Sequence, residues 1–328
     1  FSMTQSQFPS RDNTTIHFSH SAYQMANRFA ARDLGIRHFQ TDTVEATRER
    51  ISETDVLVVS GFWRDTLLLE APRLRYVQSI SAGYDQYGLD ALRDHGVFLC
   101  NASGVNADAV SHHAIGLALA LIRHLPSARD HQHQRHWRGM ISDIDQREDD
   151  LVGHTMLVIG LGAIGKRVAR LAQAFGMHTI GTKRDTATHD DSCDEVHAPE
   201  ALPTLLPRAD FVVLCCPLTE ATTDLIDKDT IALMKSSAYL INVARGGCID
   251  PLALQDALTN GVIAGAGIDH FKEEPLPANS PFWALDNLLI TPHSAGETRK
   301  YEDNVIDILV ANLDKLWAGN TDLNNRIV

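Results

Sequence analysis

Apolar residues along this chain fall into two alternating patterns, short continuous runs and longer stretches in which they recur every three or four positions. Continuous runs between polar turns read as strands buried on both faces, and the longer period reads as helices. Their alternation predicts an α/β protein built on parallel sheets. In the first hundred residues strands are expected at Thr15 to Phe18, Val56 to Val59, Tyr76 to Ile80 and Val97 to Leu99, with a weaker one near Ile36 to Phe39. A second series is expected at Thr155 to Ile159, His178 to Gly181, Glu195 to His197, Phe211 to Leu214, Tyr239 to Asn242, Gly265 to Ile268 and Leu288 to Ile290. Between the series lies a long apolar helix, about Ala107 to Leu125, with Ala114, Leu117, Ala118, Leu121, Ile122 and Leu125 facing inward and Pro126 marking its end. A last helix, about Glu297 to Trp317, spaces Tyr301, Val305, Ile308, Leu309, Asn312, Leu313 and Leu316 helically and is expected to return to the first series.

The most informative segment is Gly160-Leu161-Gly162-Ala163-Ile164-Gly165, which follows the apolar run Met156 to Ile159 and precedes a helical pattern ending at Gly176. The first glycine permits a tight strand-to-helix turn, the second lets a pyrophosphate approach the backbone, and the third lets helix and strand pack closely. The helix N-terminus at Ala163 and Ile164 then offers unpaired N–H groups to the anion. This predicts a Rossmann-type, doubly wound parallel sheet in a dinucleotide-binding domain at 105–294. A smaller, discontinuous, flavodoxin-like α/β domain is expected at 1–104 and 295–328. Eighteen residues past Gly165, Thr182-Lys183-Arg184 stands where an NAD-specific site places an acid for the ribose 2′-hydroxyl. Lys183 and Arg184 can pair with a 2′-phosphate, so NADP(H) is the expected cofactor, with NAD(H) possible. A solvated basic turn is the competing reading, since Asp185 sits next door.

Composition narrows the partners. At 328 residues and 44% hydrophobic the chain can bury one or two full cores, its length suggests two domains, and its net charge of -13 argues against nucleic acid and anionic membranes. Five cysteines, Cys100, Cys193, Cys215, Cys216 and Cys248, fit neither a disulfide framework nor a zinc ribbon, so a reducing cytoplasm is expected. No run suits a signal peptide or a membrane span, and Phe1-Ser2 ahead of Met3 read as an appended remnant. The run His131 to His136 lacks a set of carboxylate or thiol partners and reads as a solvated helix end, so no metal is expected.

Three segments at expected strand ends carry chemistry: Asn242 to Gly247, Asp269 to Pro275, and Thr291 to Gly296. Reducing a 2-oxo acid needs a cation, a proton donor near neutral pH, a carboxylate to sustain that donor and a hydride source, and one Arg, one Glu and one His meet the list. In order and spacing these segments, with the glycine turn, resemble the D-isomer-specific 2-hydroxyacid dehydrogenase family along nearly the whole chain. The resemblance implies that Arg245 binds the substrate carboxylate and polarises the keto oxygen, that Glu274 supports the imidazolium, and that His293 donates the proton. Glu273 is the alternative to Glu274, and His270 and His113 read as structural. Ser81-Ala82-Gly83-Tyr84-Asp85 resembles the loop of the smaller, substrate domain whose N–H groups at Ala82 and Gly83 hold the carboxylate. The resemblance also places Cys216, Pro217, Thr222, Val243 and Ala244 along the cofactor and Asp269 at its nicotinamide end. Phe62 and Trp63 lie where the family lines its pocket, though two core aromatics would look the same.

Two departures stand out: His112 replaces the usual acid before the His of the long helix, and Lys183 replaces the cofactor-selecting acid. The expected activity is NADPH-dependent reduction of a small 2-oxo acid such as glyoxylate or hydroxypyruvate. A dinucleotide-sensing corepressor on the same fold and a formate- or phosphite-type dehydrogenase are the alternatives. A homodimer through the cofactor domain, with the segment Leu125 to Trp137 contributing, is implied by the resemblance.

Overall fold

The computed structural model describes residues 8–187 and 190–328, so the Phe1-Ser2-Met3 start lies outside the described residues. The chain divides into two compact units, one of residues up to Asn106 together with Thr298–Val328, the other Ala107–Glu297.

In the first unit β1 (Thr15–Ser19), β2 (Arg37–Thr41), β3 (Val56–Val59), β4 (Tyr76–Ser79) and β5 (Phe98–Cys100) form a parallel sheet in the order β2-β1-β3-β4-β5. That is the flavodoxin order. Alternate residues of one apolar run serve opposite faces. Val56 and Val58 pack with Val305, Leu309 and Leu313 of the helix Tyr301–Trp317, whereas Leu57 and Val59 pack with Trp63, Leu67 and Leu92. This is why the strand sequences are apolar throughout instead of alternating.

In the second unit β6 (Thr155–Ile159), β7 (His178–Thr182), β8 (Glu195–His197), β9 (Phe211–Leu214), β10 (Tyr239–Asn242), β11 (Gly265–Ile268) and β12 (Leu288–Ile290) run parallel in the order β12-β11-β10-β9-β6-β7-β8. The order reverses between β6 and β9, and in such sheets ligands bind at the carboxyl ends of the strands flanking that reversal. Met156, Val158 and Val213 face the helices Ala107–Ile122 and Ala163–Ala174, while Leu157, Val212 and Leu240 face Leu254 and Leu258.

The helical boundaries need correcting. The long helix stops at Ile122, because His124 adopts a left-handed φ of 49°, and a separate helix runs Leu125–His133. Pro126 therefore opens a helix instead of ending one, a place where its missing N–H costs nothing, and Leu125 is exposed. The last helix begins at Tyr301, and its buried stripe uses Ile306, with Ile308 only half-buried.

Candidate active site

The glycine turn lies at the carboxyl end of β6. Gly160 has φ 98°, and a Cβ there would stand 2.8 Å from the Cys216 backbone. A Cβ on Gly165 would lie 2.0 Å from the Gly160 carbonyl oxygen, whereas one on Gly162 would meet nothing within 4 Å. Two glycines thus let loops and helix close up, and the middle one leaves the backbone open to approach. Gly162 is the N-cap of the helix Ala163–Ala174, whose first N–H groups have no partner within the helix. The residues present fit a dinucleotide pyrophosphate.

Several expected cofactor residues brace this cradle. The Thr182 hydroxyl accepts the Gly160 N–H at 3.3 Å. The Cys215 N–H donates to the Ile159 carbonyl at 2.9 Å, carrying the chain past buried Cys216 to exposed Pro217. The Thr222 hydroxyl accepts the Thr219 N–H at 2.8 Å and donates to the Pro217 carbonyl at 2.7 Å, so it shapes the loop.

The basic turn after β7 differs from the expectation. The Lys183 side chain is 14% exposed and points its Nζ at Asp190 Oδ2, 3.3 Å away, an oxygen shared with Lys166 Nζ at 2.9 Å. Asp190 Oδ1 accepts the N–H and hydroxyl of Ser192 at 3.1 and 2.6 Å. Burial opposes ionisation of Asp190, but the Ser192 and lysine donors outweigh it and hold its carboxyl well below the usual carboxylate range. Of the two residues expected to pair with a 2′-phosphate, Lys183 is turned inward by a carboxylate seven residues on, and Arg184 is exposed with no partner among the described residues.

The chemical groups stand on the loops after β10, β11 and β12. After β10, Val243 and Ala244 are buried, 4% and 5% exposed. Buried Asn242 ties this loop to the next: its Oδ1 accepts the Ala244 N–H at 3.0 Å, and its Nδ2 donates to the carbonyls of Arg245 at 3.0 Å and His270 at 3.3 Å. A Cβ on Gly246 would lie 1.9 Å from the Phe271 carbonyl carbon, so only glycine lets the two loops meet. Arg245 emerges exposed, with Nη1 on the Ala244 carbonyl at 2.7 Å.

Asp269, fully buried, accepts the Thr291 hydroxyl at 2.6 Å and the N–H groups of Ser294 and Ala295 at 2.9 and 3.1 Å. Its carbonyl accepts the His293 N–H at 2.9 Å. The resemblance placed Asp269 beside the nicotinamide, whereas here its carboxylate is engaged in fixing the loop that carries His293. Thr291 in turn receives His113 Nε2 at 2.9 Å.

His293 sits at a left-handed φ of 53°, an uncommon conformation for a side-chain-bearing residue that the Asp269 bonds hold in place. Its Nδ1–H donates to Glu274 Oε2 at 2.6 Å, and Glu274 Oε1 accepts the Phe271 N–H at 3.0 Å. That leaves Nε2 to exchange a proton with a ligand. Glu273 is exposed and has no partner among the described residues, and the carboxylate that reaches His293 is that of Glu274. Sequence reading gave no site role to buried His270, whose ring lies 3.8 Å from that of His293, centroid to centroid. Together His270, Glu274 and His293 present donor atoms within 4.8 Å of one another.

In the first unit, the N–H groups of Ala82 and Gly83 have no partner among the described residues, while Asn101 Nδ2 holds the Ala82 carbonyl at 2.7 Å. Trp63 is 1% exposed, packed with Tyr87 and Leu67, its indole N–H on Asp65 at 2.8 Å. It is a core residue, which corrects its candidacy for a pocket wall. Phe62 is half-buried.

Strand order and glycine turn define a dinucleotide-binding protein of the Rossmann type. Residues 115–295 match the NAD-binding domain of the D-isomer specific 2-hydroxyacid dehydrogenases. A glyoxylate/hydroxypyruvate reductase B from Escherichia fergusonii is 34% identical over 291 residues, covering 88% of this chain and 89% of that protein. A D-3-phosphoglycerate dehydrogenase from Methanocaldococcus jannaschii is 34% identical over 280 residues, 84% of this chain, which spans 52% of that protein's length. The structure of a D-isomer specific 2-hydroxyacid dehydrogenase family protein from Aeromonas salmonicida is similar with a TM-score of 0.83 at 30% identity, covering 97% of this chain and 99% of that one. The chain belongs to the D-isomer-specific 2-hydroxyacid dehydrogenase family and is an oxidoreductase with a nicotinamide-dinucleotide-binding domain. No helix among the described residues is long and apolar enough to cross a membrane.

Proposed function

We propose that this protein reduces small 2-oxo acids to D-2-hydroxy acids, with NADPH preferred over NADH. The observation that carries the reading is the 2.6 Å bond between Glu274 and His293, set one strand along from Arg245 at the same edge of a dinucleotide fold. Arg245 pairs with the substrate carboxylate and polarises the keto oxygen, His293 gives that oxygen a proton from Nε2, and Glu274 sustains the charge of the protonated ring. The cofactor supplies the hydride to the carbonyl carbon. The kinship with a glyoxylate/hydroxypyruvate reductase favours short, polar 2-oxo acids.

Arg184 is assigned to the 2′-phosphate, with Lys183 and Lys166 contributing field, since no carboxylate stands at 182–184 to repel it. A homodimer is proposed from the exposed apolar side chains of Leu125, Trp137, Met140 and Ile144, of which Trp137 is 97% exposed. Five free thiols suit a reducing cytoplasm. NADPH and NADH oxidation against glyoxylate, hydroxypyruvate, pyruvate and phenylpyruvate tests the activity. Turnover of none of the four, with intact cofactor binding, would overturn it, and a monomer by light scattering would overturn the dimer.

A further inference from the structure

His270 lies between Asp269 and Phe271 and is one of the most enclosed ionisable groups near the site, its side chain 7% exposed. Its ring meets that of His293 with centroids 3.8 Å apart and planes tilted by 55°. The groups around it come from four elements. Asp269 Oδ2 lies 3.4 Å from its Nε2, and Glu274 Oε1 lies 3.8 Å from its Nδ1. His293 arrives from the loop after β12 and Arg245 from the loop after β10. His113, on the helix Ala107–Ile122, stands 3.7 Å from the far oxygen of Asp269. Asn242 Nδ2 holds the His270 carbonyl at 3.3 Å, and the ring itself is enclosed.

Burial pushes the proton affinity of His270 down, the charges of His293 and Arg245 push it further, and Asp269 and Glu274 oppose; the balance falls to about 4. Through the range in which reductases work, the ring is therefore neutral. A neutral imidazole offers an aromatic face to a neighbouring cation. This bears on the proposed reaction, because the proton donor must be held as a cation until the hydride arrives.

We propose that His270 is a positioning residue whose aromatic face stabilises the protonated ring of His293 and fixes it against Glu274. The inference rests on the reading of His293 as proton donor, but its physical part does not depend on turnover. Replacing His270 with Leu removes the aromatic face at similar bulk, whereas H270F keeps it and removes both ring nitrogens.

Imidazole NMR titration of the whole protein reads the effect directly. The expected result is a His293 midpoint about half a unit lower in H270L than in the wild type, with H270F near the wild type. The upper limb of the turnover-pH profile should move by the same amount, with KM for the 2-oxo acid unchanged at neutral pH. An unmoved midpoint in H270L overturns the proposal. So does an H270F midpoint displaced as far as that of H270L, which would assign the effect to the ring nitrogens and the two carboxylates. If H270L does not fold, H270M makes the same comparison. A shifted midpoint together with full turnover in H293A would leave the contact established and remove instead the reading of His293 as donor.

Discussion

Replacing Asp190 with Asn tests how the basic turn works. The carboxylate is 2% exposed and receives two donors from Ser192 on one oxygen and Lys166 and Lys183 on the other. Asn is isosteric and can keep the Ser192 bonds, but it removes the negative charge that the Lys166 and Lys183 ammonium groups share. Lys166, 42% exposed, can swing into water, whereas Lys183, 14% exposed, cannot do so freely. The loss is therefore set mainly by one partly buried lysine, about 1 to 3 kcal/mol, below the 3 to 5 typical of breaking a deeply buried pair. For a domain of this size that lowers the melting temperature by roughly 2 to 10 °C. The same change adds one positive charge to the turn. With near-aqueous screening, one added charge beside a 2′-phosphate corresponds to roughly a two- to five-fold gain in preference for NADPH over NADH. Thermal denaturation and the ratio of kcat/KM for the two cofactors read both effects. A fall in melting temperature with an unchanged cofactor ratio would refute the assignment of this turn to the 2′-phosphate.

H293A should bind NADPH normally and lose roughly a hundredfold or more in turnover, as removal of a general acid does, measured by single-turnover reduction. R245A should raise KM for the 2-oxo acid as well as lower turnover, because the guanidinium is assigned to the ground state and the transition state alike; a pure turnover defect would contradict that. In the first unit, buried His17 bonds Thr54 at 3.1 Å and Thr41 at 2.7 Å, and burial, with the charge of Arg50, lowers its proton affinity to about 4. Its folded value lies below its unfolded one, so the unfolded chain binds the proton first as pH falls. Stability is complete above about pH 6.5 and declines by about 3 kcal/mol toward pH 4. Urea unfolding across that range should show a shallower acid loss in H17Q.

Strands were legible in the sequence because a parallel sheet covered on both faces needs uninterrupted apolar runs, and Val56 to Val59 or Phe211 to Leu214 have no other reading. What the sequence did not show depends on contacts made at a distance. Pro126 signals a helix stop or a helix start equally well, and only the left-handed backbone at His124 decides. An aromatic pair after a strand reads the same whether it lines a pocket or fills a core, and the burial of Trp63 against Tyr87 and Leu67 settles that this side chain faces in. Lys183 carries the right charge in the right place, but its partner Asp190 comes from across a loop. Asp269 and Asn242 were read within segments of chemical interest, while their work as braces shows only in the hydrogen bonds.

The division between braces and chemical groups follows from physical necessity. A group that meets substrate must be reachable by it, and Arg245 and His293 are exposed; a side chain with that freedom loses entropy whenever it is held in one geometry. Here the restriction is imposed from below. Asn242 and Asp269 are buried, each satisfies several backbone groups, and removing either leaves buried N–H or carbonyl groups unpaired, a cost of about 1 to 3 kcal/mol apiece. Gly246 adds a contact that no other residue permits. The three loops are thereby set relative to one another before substrate arrives, and binding need supply little of the ordering. It follows that N242A and D269A should damage turnover through misplacement of Arg245 and His293 although neither altered side chain is proposed to touch the substrate.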